Sequence, residues 1–242
     1  MKLLALDCSG LVASVAVVRD GILSGEFTVN HKITHSQTML PMLDELAKLI
    51  ELDLNTLDAV AVAGGPGSFT GLRIGSATAK GLALALKKPL IQIPTVDALA
   101  YNLWGHRDLI CPLMDARRNQ VYTGLYRFTD GRMQTVKEQC AVEISAIIDE
   151  INQRGEEVVF LGDGVPVSAE YIKEHILVSH TFAPPHLSRQ RAGAVASLAV
   201  EYYKEGKMMD SASHKPEYLR LSQAERERME KEHGKDQENA GS

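Results

Sequence analysis

Aromatic residues and cysteines are scarce in this chain of 242 residues. Aromatic side chains make up 5% of it, with one tryptophan, and no short spacing separates any two of its three cysteines, Cys8, Cys111 and Cys140. This excludes a disulfide framework and the short cysteine spacings of a structural zinc site, and it suits a reducing cytosol. We therefore expect a cytoplasmic protein.

Long apolar runs and an excess of positive charge are also missing. No stretch approaches the ~20 apolar residues of a membrane span, and the N-terminal KLLALD predicts a strand rather than a signal peptide. The net charge of −5 disfavours tight binding to nucleic acid by this chain alone. We expect no membrane association, and contact with RNA only within a larger assembly, where a basic pair such as Arg117-Arg118 could contribute.

The overall composition, with 45% hydrophobic and 24% charged residues, is that of a globular protein. Apolar and alternating segments predict strands, and 3.6-residue periodicity predicts helices, in the order βββαβαβα. The predicted strands are 3–7, 12–21, 22–29, 57–63 and 89–93, and the predicted helices are 36–51, 74–88 and 96–104.

The second half of the sequence repeats the first. LLALDCSGLVASVAVVRDG resembles ICPLMDARRNQVYTGLYRFTDG, so that Asp7 corresponds to Asp115 and Asp20 to Asp130. A strand at 157–164 and helices near 143–153, 168–175 and 189–205 complete the second copy. Such a duplication predicts an α/β protein of two lobes.

The predicted domain boundaries follow from this duplication. The first lobe spans 1–104, a second and smaller lobe spans 105–207, and the segment 208–221 returns to the lobes. We expect the charged tail, 222–242, to be disordered.

Glycines cluster in AGGPGSFTGLRIGSATAKG, between a predicted buried strand and a predicted helix. The phosphate loop of nucleotide triphosphatases would need a lysine after Gly71, where Leu72 and Arg73 stand. The dinucleotide fingerprint fails because three residues separate Gly67 from Gly71. Two interpretations remain, a tight turn whose glycines let backbones pack closely, and an anion site at a helix N-terminus.

The helices near 36–50 and 74–88 are apolar or rich in small residues nearly all round. One face of each can cover a sheet, while a second apolar face needs another partner. That partner is either the second lobe or another protein chain, and we favour a subunit interface.

Several other residue patterns raise the question of a metal site or a catalytic nucleophile. Asp7 and Asp115 either hold Mg²⁺ through water molecules or cap their own turns. His31 and His35 lie between a strand and a helix without a third ligand, so a metal site is not expected there. Cys8 has no neighbouring base in the sequence, and serine hydrolase chemistry is not expected either, because the glycine loop lacks the Gly-x-Ser-x-Gly elbow.

The motifs GGPGSFTGLRIG, HSQTMLPML, MDARRNQVY and PEYLR resemble those of the bacterial TsaB family, through about residue 220. The resemblance implies two ribonuclease-H-like lobes, as in actin-like ATPases, each a mixed sheet flanked by helices. It also implies a noncatalytic scaffold that dimerises with TsaD, recruits TsaE and supports formation of N6-threonylcarbamoyladenosine beside the tRNA anticodon. Alone, such a chain would form a homodimer, and tRNA would reach it only through the complex.

The resemblance also bears on catalysis. TsaD carries a His-x3-His metal pair, and the comparable segment here has Thr95 and Leu99, which cannot replace two imidazoles. We therefore expect no catalytic residue, no metal and no tightly bound cofactor, with ATP or ADP and Mg²⁺ possible at the junction with TsaD. The alternative is a stand-alone actin-like Mg-ATPase or kinase that uses Asp7 and Asp115; the missing histidine pair argues against a peptidase.

Two sets of site residues follow from the resemblance and the periodicity. The expected partner surface comprises Met39, Leu40, Leu43, Ala47, Ile74, Ala77, Lys80, Gly81 and Leu84. The expected nucleotide or anion contacts are Asp7, Ser9, Gly65, Gly67, Ser68, Thr70 and Arg73.

Overall fold

Two five-stranded sheets form the framework of the chain. The computed structural model describes residues 1–31 and 34–220, so the predicted tail at 222–242 lies outside the described residues. The first sheet has the order β3-β2-β1-β4-β5, with β1 antiparallel to β2 and parallel to β4. Its strands are β1 (Lys2–Asp7), β2 (Val12–Arg19), β3 (Ile22–Asn30), β4 (Ala59–Ala63) and β5 (Leu90–Ile93).

The second sheet has the same topology. Its order, read in the matching direction, is β8-β7-β6-β9-β10, with β6 antiparallel to β7 and parallel to β9. The strands are β6 (Leu109–Asp115), β7 (Gln120–Thr129), β8 (Arg132–Glu143), β9 (Val158–Leu161) and β10 (His180–Phe182). The repeated order confirms the predicted duplication and the fold of two ribonuclease-H-like lobes.

Helices α1 (His35–Leu49) and α2 (Phe69–Leu86) cover one face of the first sheet. The strands beneath them are apolar on both faces, as expected for the central strands of a sheet that is covered on each side. Met39, Leu43 and Ala79 pack against Leu6 and Val62 in this core. The helix predicted to begin at 74 begins at Phe69, because Ser68 caps its N-terminus.

The helices between and after the sheets pack across the two lobes. Helix α6 (Ala192–Lys204), placed in the second lobe by the sequence, lies on the other face of the first sheet, where its alanines meet those of β1, β2 and β4. Helix α3 (Thr95–Tyr101), placed in the first lobe, packs mainly on β6 and β7. A buried hydrogen bond from Tyr126 Oη to Asp97 Oδ1 (2.7 Å) fixes α3 on β7.

The remaining helices, α4 (Ile144–Arg154) and α5 (Val165–His175), cover the outer face of the second sheet. A single 3₁₀ turn, Leu54–Thr56, precedes β4. Among residues 1–31 and 34–220, no helix has the length and hydropathy that crossing a bilayer requires.

Candidate functional site

The glycine loop between β4 and α2 packs tightly against the turn that follows β1. A β-carbon on Gly67 would lie 2.3 Å from Ser9 O, and one on Gly71 would lie 2.0 Å from Cys8 O. Ser68 N donates to Ser9 O at 2.7 Å. Only glycine permits backbones to approach this closely, which supports the close-packing interpretation of the loop.

The C-terminal segment closes the other side of this loop. Gly65 has a φ of +119°, and its missing β-carbon leaves room for Glu217 O, which would otherwise lie 2.2 Å away. Glu217 N donates to Gly64 O at 2.7 Å. The loop that resembles a phosphate cradle is therefore filled by its own chain at Gly65.

The same segment binds the first turns of α2. The rings of Phe69 and Tyr218 lie 4.9 Å apart, and the Arg73 guanidinium lies 3.9 Å from the Phe69 ring centroid. Arg73 Nε donates to Tyr218 Oη at 3.3 Å, and Lys80 Nζ donates to His214 O at 3.1 Å. Sequence reasoning placed this segment on the lobes but did not foresee these contacts; its one signal was the PEYLR motif.

Asp7 and Asp115 each hold their own turn. Asp7 is buried and accepts hydrogen bonds from Ser9 N (2.8 Å) and Ser9 Oγ (2.6 Å), and burial raises its pKa to about 6. Asp115 accepts a hydrogen bond from Arg117 N at 2.7 Å. This is the turn-capping arrangement that the duplicated sequence allowed.

His35 and Cys8 contribute to the fold rather than to a reactive site. His35 Nε2 donates to Gly10 O at 2.8 Å, while His31 is exposed. Burial raises the pKa of the Cys8 thiol, which disfavours a nucleophilic thiolate. Within residues 1–31 and 34–220, no three His, Cys, Asp or Glu side chains converge in a geometry that could hold a metal ion.

A cleft with a volume of about 500 Å³ separates the two lobes. Of the expected anion contacts, Ser9, Gly67 and Ser68 line it. The remaining expected contacts, Asp7, Gly65, Thr70 and Arg73, do not line it. In the second lobe the sequence singled out Asp115 and Arg117, which line the cleft. It did not indicate the lining residues Arg189, Gln190 and, in the C-terminal segment, Arg220.

The outer surface of α1 and α2 exposes apolar and small side chains. On α1, Leu40 is 53% exposed. On α2, Leu84 is 73% exposed, and Ala77 and Gly81 are exposed as well. Leu49, 64% exposed, was not in the expected set. The main contacts of both helices are with the first sheet and with each other, which leaves this outer surface uncovered by the second lobe.

Two residues of the expected partner surface need correction. Met39 and Leu43 are buried at 1% and 4% exposure, because they form the inner side of α1 against the first sheet. Ala47, Ile74 and Lys80 are half-buried. The exposed part of the set is Leu40, Ala77, Gly81 and Leu84, which we call the outer α1–α2 surface.

The positions compared with a histidine pair are also structural. Thr95 is buried, and its Oγ1 accepts a hydrogen bond from Gly65 N at 3.0 Å. Leu99 is buried in the core between α3 and the second sheet. Both positions are therefore occupied by groups that stabilise the fold.

The repeated topology and the inter-lobe cleft define a class of two-lobed α/β proteins. Comparison with known proteins then gives the family of this chain. Residues 29–228 match the model described as TsaD: tRNA N6-adenosine threonylcarbamoyltransferase. The chain is 31% identical to a Bacillus subtilis (strain 168) protein named tRNA threonylcarbamoyladenosine biosynthesis protein TsaB, over 93% of this chain and 96% of the relative. It belongs to the TsaB family.

Further relatives agree with this assignment. The TsaB protein of Escherichia coli (strain K12) is 30% identical over 91% of this chain and 95% of its own length. The solved structure of YeaZ from Pseudomonas aeruginosa is 26% identical and has a TM-score of 0.74. It covers 90% of this chain and 99% of the solved one.

Proposed function

We propose that this chain is a noncatalytic subunit that pairs with TsaD in the formation of tRNA N6-threonylcarbamoyladenosine. Membership of the TsaB family supports the pathway, since its relatives are named for threonylcarbamoyladenosine biosynthesis. The proposal places the protein in the cytoplasm, with TsaE as a further partner and with tRNA reached through the complex.

The single observation that carries the pairing is the outer α1–α2 surface. Exposed leucines such as Leu40 and Leu84 are costly to leave in water when they lie in an apolar patch, and such patches mark protein interfaces. The inner sides of α1 and α2 already pack against the first sheet, so their outer surface is available to another chain. The same surface would support a homodimer in the absence of TsaD.

The noncatalytic role is supported by Thr95 and Leu99. One hydroxyl is committed to the glycine loop and one side chain to the core, so neither offers a ligand to a catalytic metal. If ATP or ADP with Mg²⁺ binds at the junction with TsaD, the exposed Ser68, Thr70 and Arg73 at the start of α2 would be its contacts on this chain. We expect that binding to be weak without the partner.

Reconstitution tests the proposed function. Unmodified tRNA, threonylcarbamoyl-adenylate and ATP would be incubated with TsaD and TsaE, with and without this chain, and the modified nucleoside would be quantified. We expect modification only when this chain is present, and we expect the chain alone to hydrolyse neither ATP nor peptides. Modification at the full rate in its absence would contradict the proposal.

The isolated chain also tests the alternative of a stand-alone Mg-ATPase. Hydrolysis of Mg-ATP by the chain alone, lost in the Asp7→Ala variant, would favour that alternative over the scaffold.

A further inference from the structure

The inter-lobe cleft carries guanidinium groups that the pairing proposal does not use. Arg189 Nη1 donates to Gly162 O (2.9 Å) and Ser188 O (3.0 Å), and Arg220 Nη1 donates to Ala116 O. These acceptors are neutral, and neither arginine forms an ion pair within the described part of the chain. Arg189 lies close enough to Asp163 to act on its pKa, but neither arginine is held in an ion pair, and each guanidinium has N–H groups beyond those at Nη1.

A buried amide in the same cleft has an unused acceptor. Gln190 is 1% exposed, and its Nε2 donates to Asp163 Oδ1 at 3.3 Å. Among residues 1–31 and 34–220, Gln190 Oε1 has no hydrogen-bond partner. A buried acceptor without a partner is unfavourable, so this atom favours a ligand that brings an N–H or O–H group.

The carboxylates of the cleft do not cancel its positive charge. Arg117 Nη1 lies 3.5 Å from Asp115 Oδ2, so that these two charges offset each other. Burial raises the pKa of Asp163, against the opposing effects of Gln190 and Arg189. What remains is the excess of three arginines, Arg117, Arg189 and Arg220, over the two aspartates, Asp115 and Asp163, in the lining of the cleft.

The mouth of the cleft is apolar on both sides. Leu11, in the turn after β1, is 57% exposed, and Val167, near the start of α5, is 71% exposed. Both line the cleft, one from each lobe. They give a ligand an apolar surface at the point where it would emerge from the cleft.

We propose that this cleft binds a small phosphate monoester with an apolar or aromatic portion. The phosphate would contact the free N–H groups of Arg189 and Arg220, whose planar fork matches phosphate oxygens. A donor on the ligand would satisfy Gln190 Oε1, and its apolar portion would lie against Leu11 and Val167. The cleft volume of about 500 Å³ falls in the range of small-molecule sites, about 300–1,000 Å³.

A small ligand fits these observations better than an RNA backbone. The net charge of −5 disfavours a polyanion, and the buried Gln190 can be reached only by a group that enters the cleft. The positive partners come from the second lobe and the C-terminal segment, whereas the glycine loop is closed by Glu217. The site shares Ser9, Gly67 and Ser68 with the expected anion contacts, but Thr70 and Arg73 on α2 do not line it.

Calorimetric titration of the isolated protein tests the site. The probes are AMP, inorganic phosphate, adenosine as the neutral counterpart of AMP, and a short RNA oligonucleotide. We expect saturable binding of AMP, weaker binding of phosphate, and binding of adenosine that is weaker than that of AMP by about tenfold or more, since the loss of a charge-assisted contact has that size.

Two variants with a matched control assign the contacts. Arg220→Gln and Gln190→Ala should each weaken AMP binding by about tenfold. Arg118→Gln removes the same charge from the neighbouring turn, outside the cleft, and should leave AMP binding unchanged. Urea unfolding of each variant without ligand shows whether it is folded, and an increase in Tm on addition of AMP reports binding independently of calorimetry.

Three results would overturn the proposal. These are the absence of saturable AMP and phosphate binding at millimolar concentrations, equal affinity for AMP and adenosine, and equal weakening by Arg118→Gln and Arg220→Gln. Tighter binding of the RNA oligonucleotide, lost in the same variants, would assign the site to RNA instead. The site does not depend on the proposed pairing, because a variant of the outer α1–α2 surface should bind AMP as the unaltered chain does.

Discussion

At the scale of single residues, Gly71 and Gly81 lie on the same helix in different surroundings. A β-carbon on Gly71 would lie 2.0 Å from the carbonyl oxygen of Cys8, whereas one on Gly81 would have nothing within 4 Å. The first glycine sets the approach of α2 to β1, and the second only costs the helix conformational entropy.

This difference predicts opposite effects of the same substitution. Gly71→Ala should lower the free energy of unfolding by about 1–3 kcal/mol, because the helix or the turn must shift. Gly81→Ala, its matched control, should raise that free energy by about 0.5–1 kcal/mol. Urea unfolding followed by circular dichroism measures both, and a Gly71→Ala variant as stable as Gly81→Ala would contradict the close-packing account.

Asp7 predicts a pH dependence of stability. Burial raises its pKa from 3.8 to about 6, so between these values the folded state holds a proton that the unfolded state has released. The contribution of Asp7 to stability therefore falls as pH rises from about 4 to 6. The difference corresponds to at most about 3 kcal/mol.

Asp7→Asn removes this titration while it keeps an oxygen that can accept from Ser9 N. We expect the stability of the variant relative to the unaltered chain to be more favourable at pH 7 than at pH 4. Urea unfolding at both pH values measures it. Asp97, whose pKa is also raised to about 6 by burial, is present in both proteins and does not affect the comparison. A difference that is the same at both pH values would contradict the buried placement of Asp7.

Residue types alone could place Asp7 at the end of a strand, but not the orientation of each helix. Met39 and Leu40 are adjacent apolar residues, yet one is 1% exposed and the other 53%. The sequence of α1 is apolar nearly all round, so its pattern does not tell which side meets the sheet. Only the packing of α1 on β2 and β3 decides this.

At the scale of elements, the start of α2 depends on one capping residue. Ser68 Oγ accepts a hydrogen bond from Gly71 N at 3.3 Å, and the helix begins at Phe69. The predicted start at 74 came too late, because Gly71 and the small residues around it weaken the apolar periodicity.

The cap predicts a modest and specific loss of stability. Ser68→Ala should lower the free energy of unfolding by about 1 kcal/mol, since one N–H group of the first turn loses its acceptor. Ser68→Asp should retain most of the stability, because a carboxylate caps a helix and also favours its N-terminus. Urea unfolding compares the three proteins, and an unchanged Ser68→Ala variant would show that the cap contributes nothing.

Most elements of the first lobe could be predicted because their signals are strong: β1 and β4 are continuous apolar runs, and β2 alternates. The second lobe was harder. β10 has three residues, His180–Phe182, which is too short for an alternating pattern, and the prediction did not delimit β8.

At the scale of the whole molecule, contacts between distant parts of the chain determine the site. Glu217 reaches Gly64, and Arg220 reaches Ala116. The positions of α3 and α6 likewise result from packing across the two lobes. No local pattern encodes such contacts, so the cleft and its closed glycine loop could not be predicted from the sequence.

The duplication, in contrast, was visible in the sequence, because each lobe repeats its own strand, turn and Asp-Gly signals. It led to the two sheets, and the apolar character of the two helices, together with the family resemblance, led to the partner surface. That surface is the central claim here, since the proposed role depends on a second chain that binds α1 and α2.

The affinity of this chain for TsaD tests that claim most directly. Calorimetric titration would compare the unaltered chain with Leu84→Glu and Ala77→Arg, each of which adds a charge to the outer α1–α2 surface. Leu177→Glu is the matched control, since Leu177 is 84% exposed and lies in the second lobe. We predict that Leu84→Glu and Ala77→Arg weaken binding by at least about tenfold while Leu177→Glu has no effect. Unchanged affinity in the two helix variants would contradict the account.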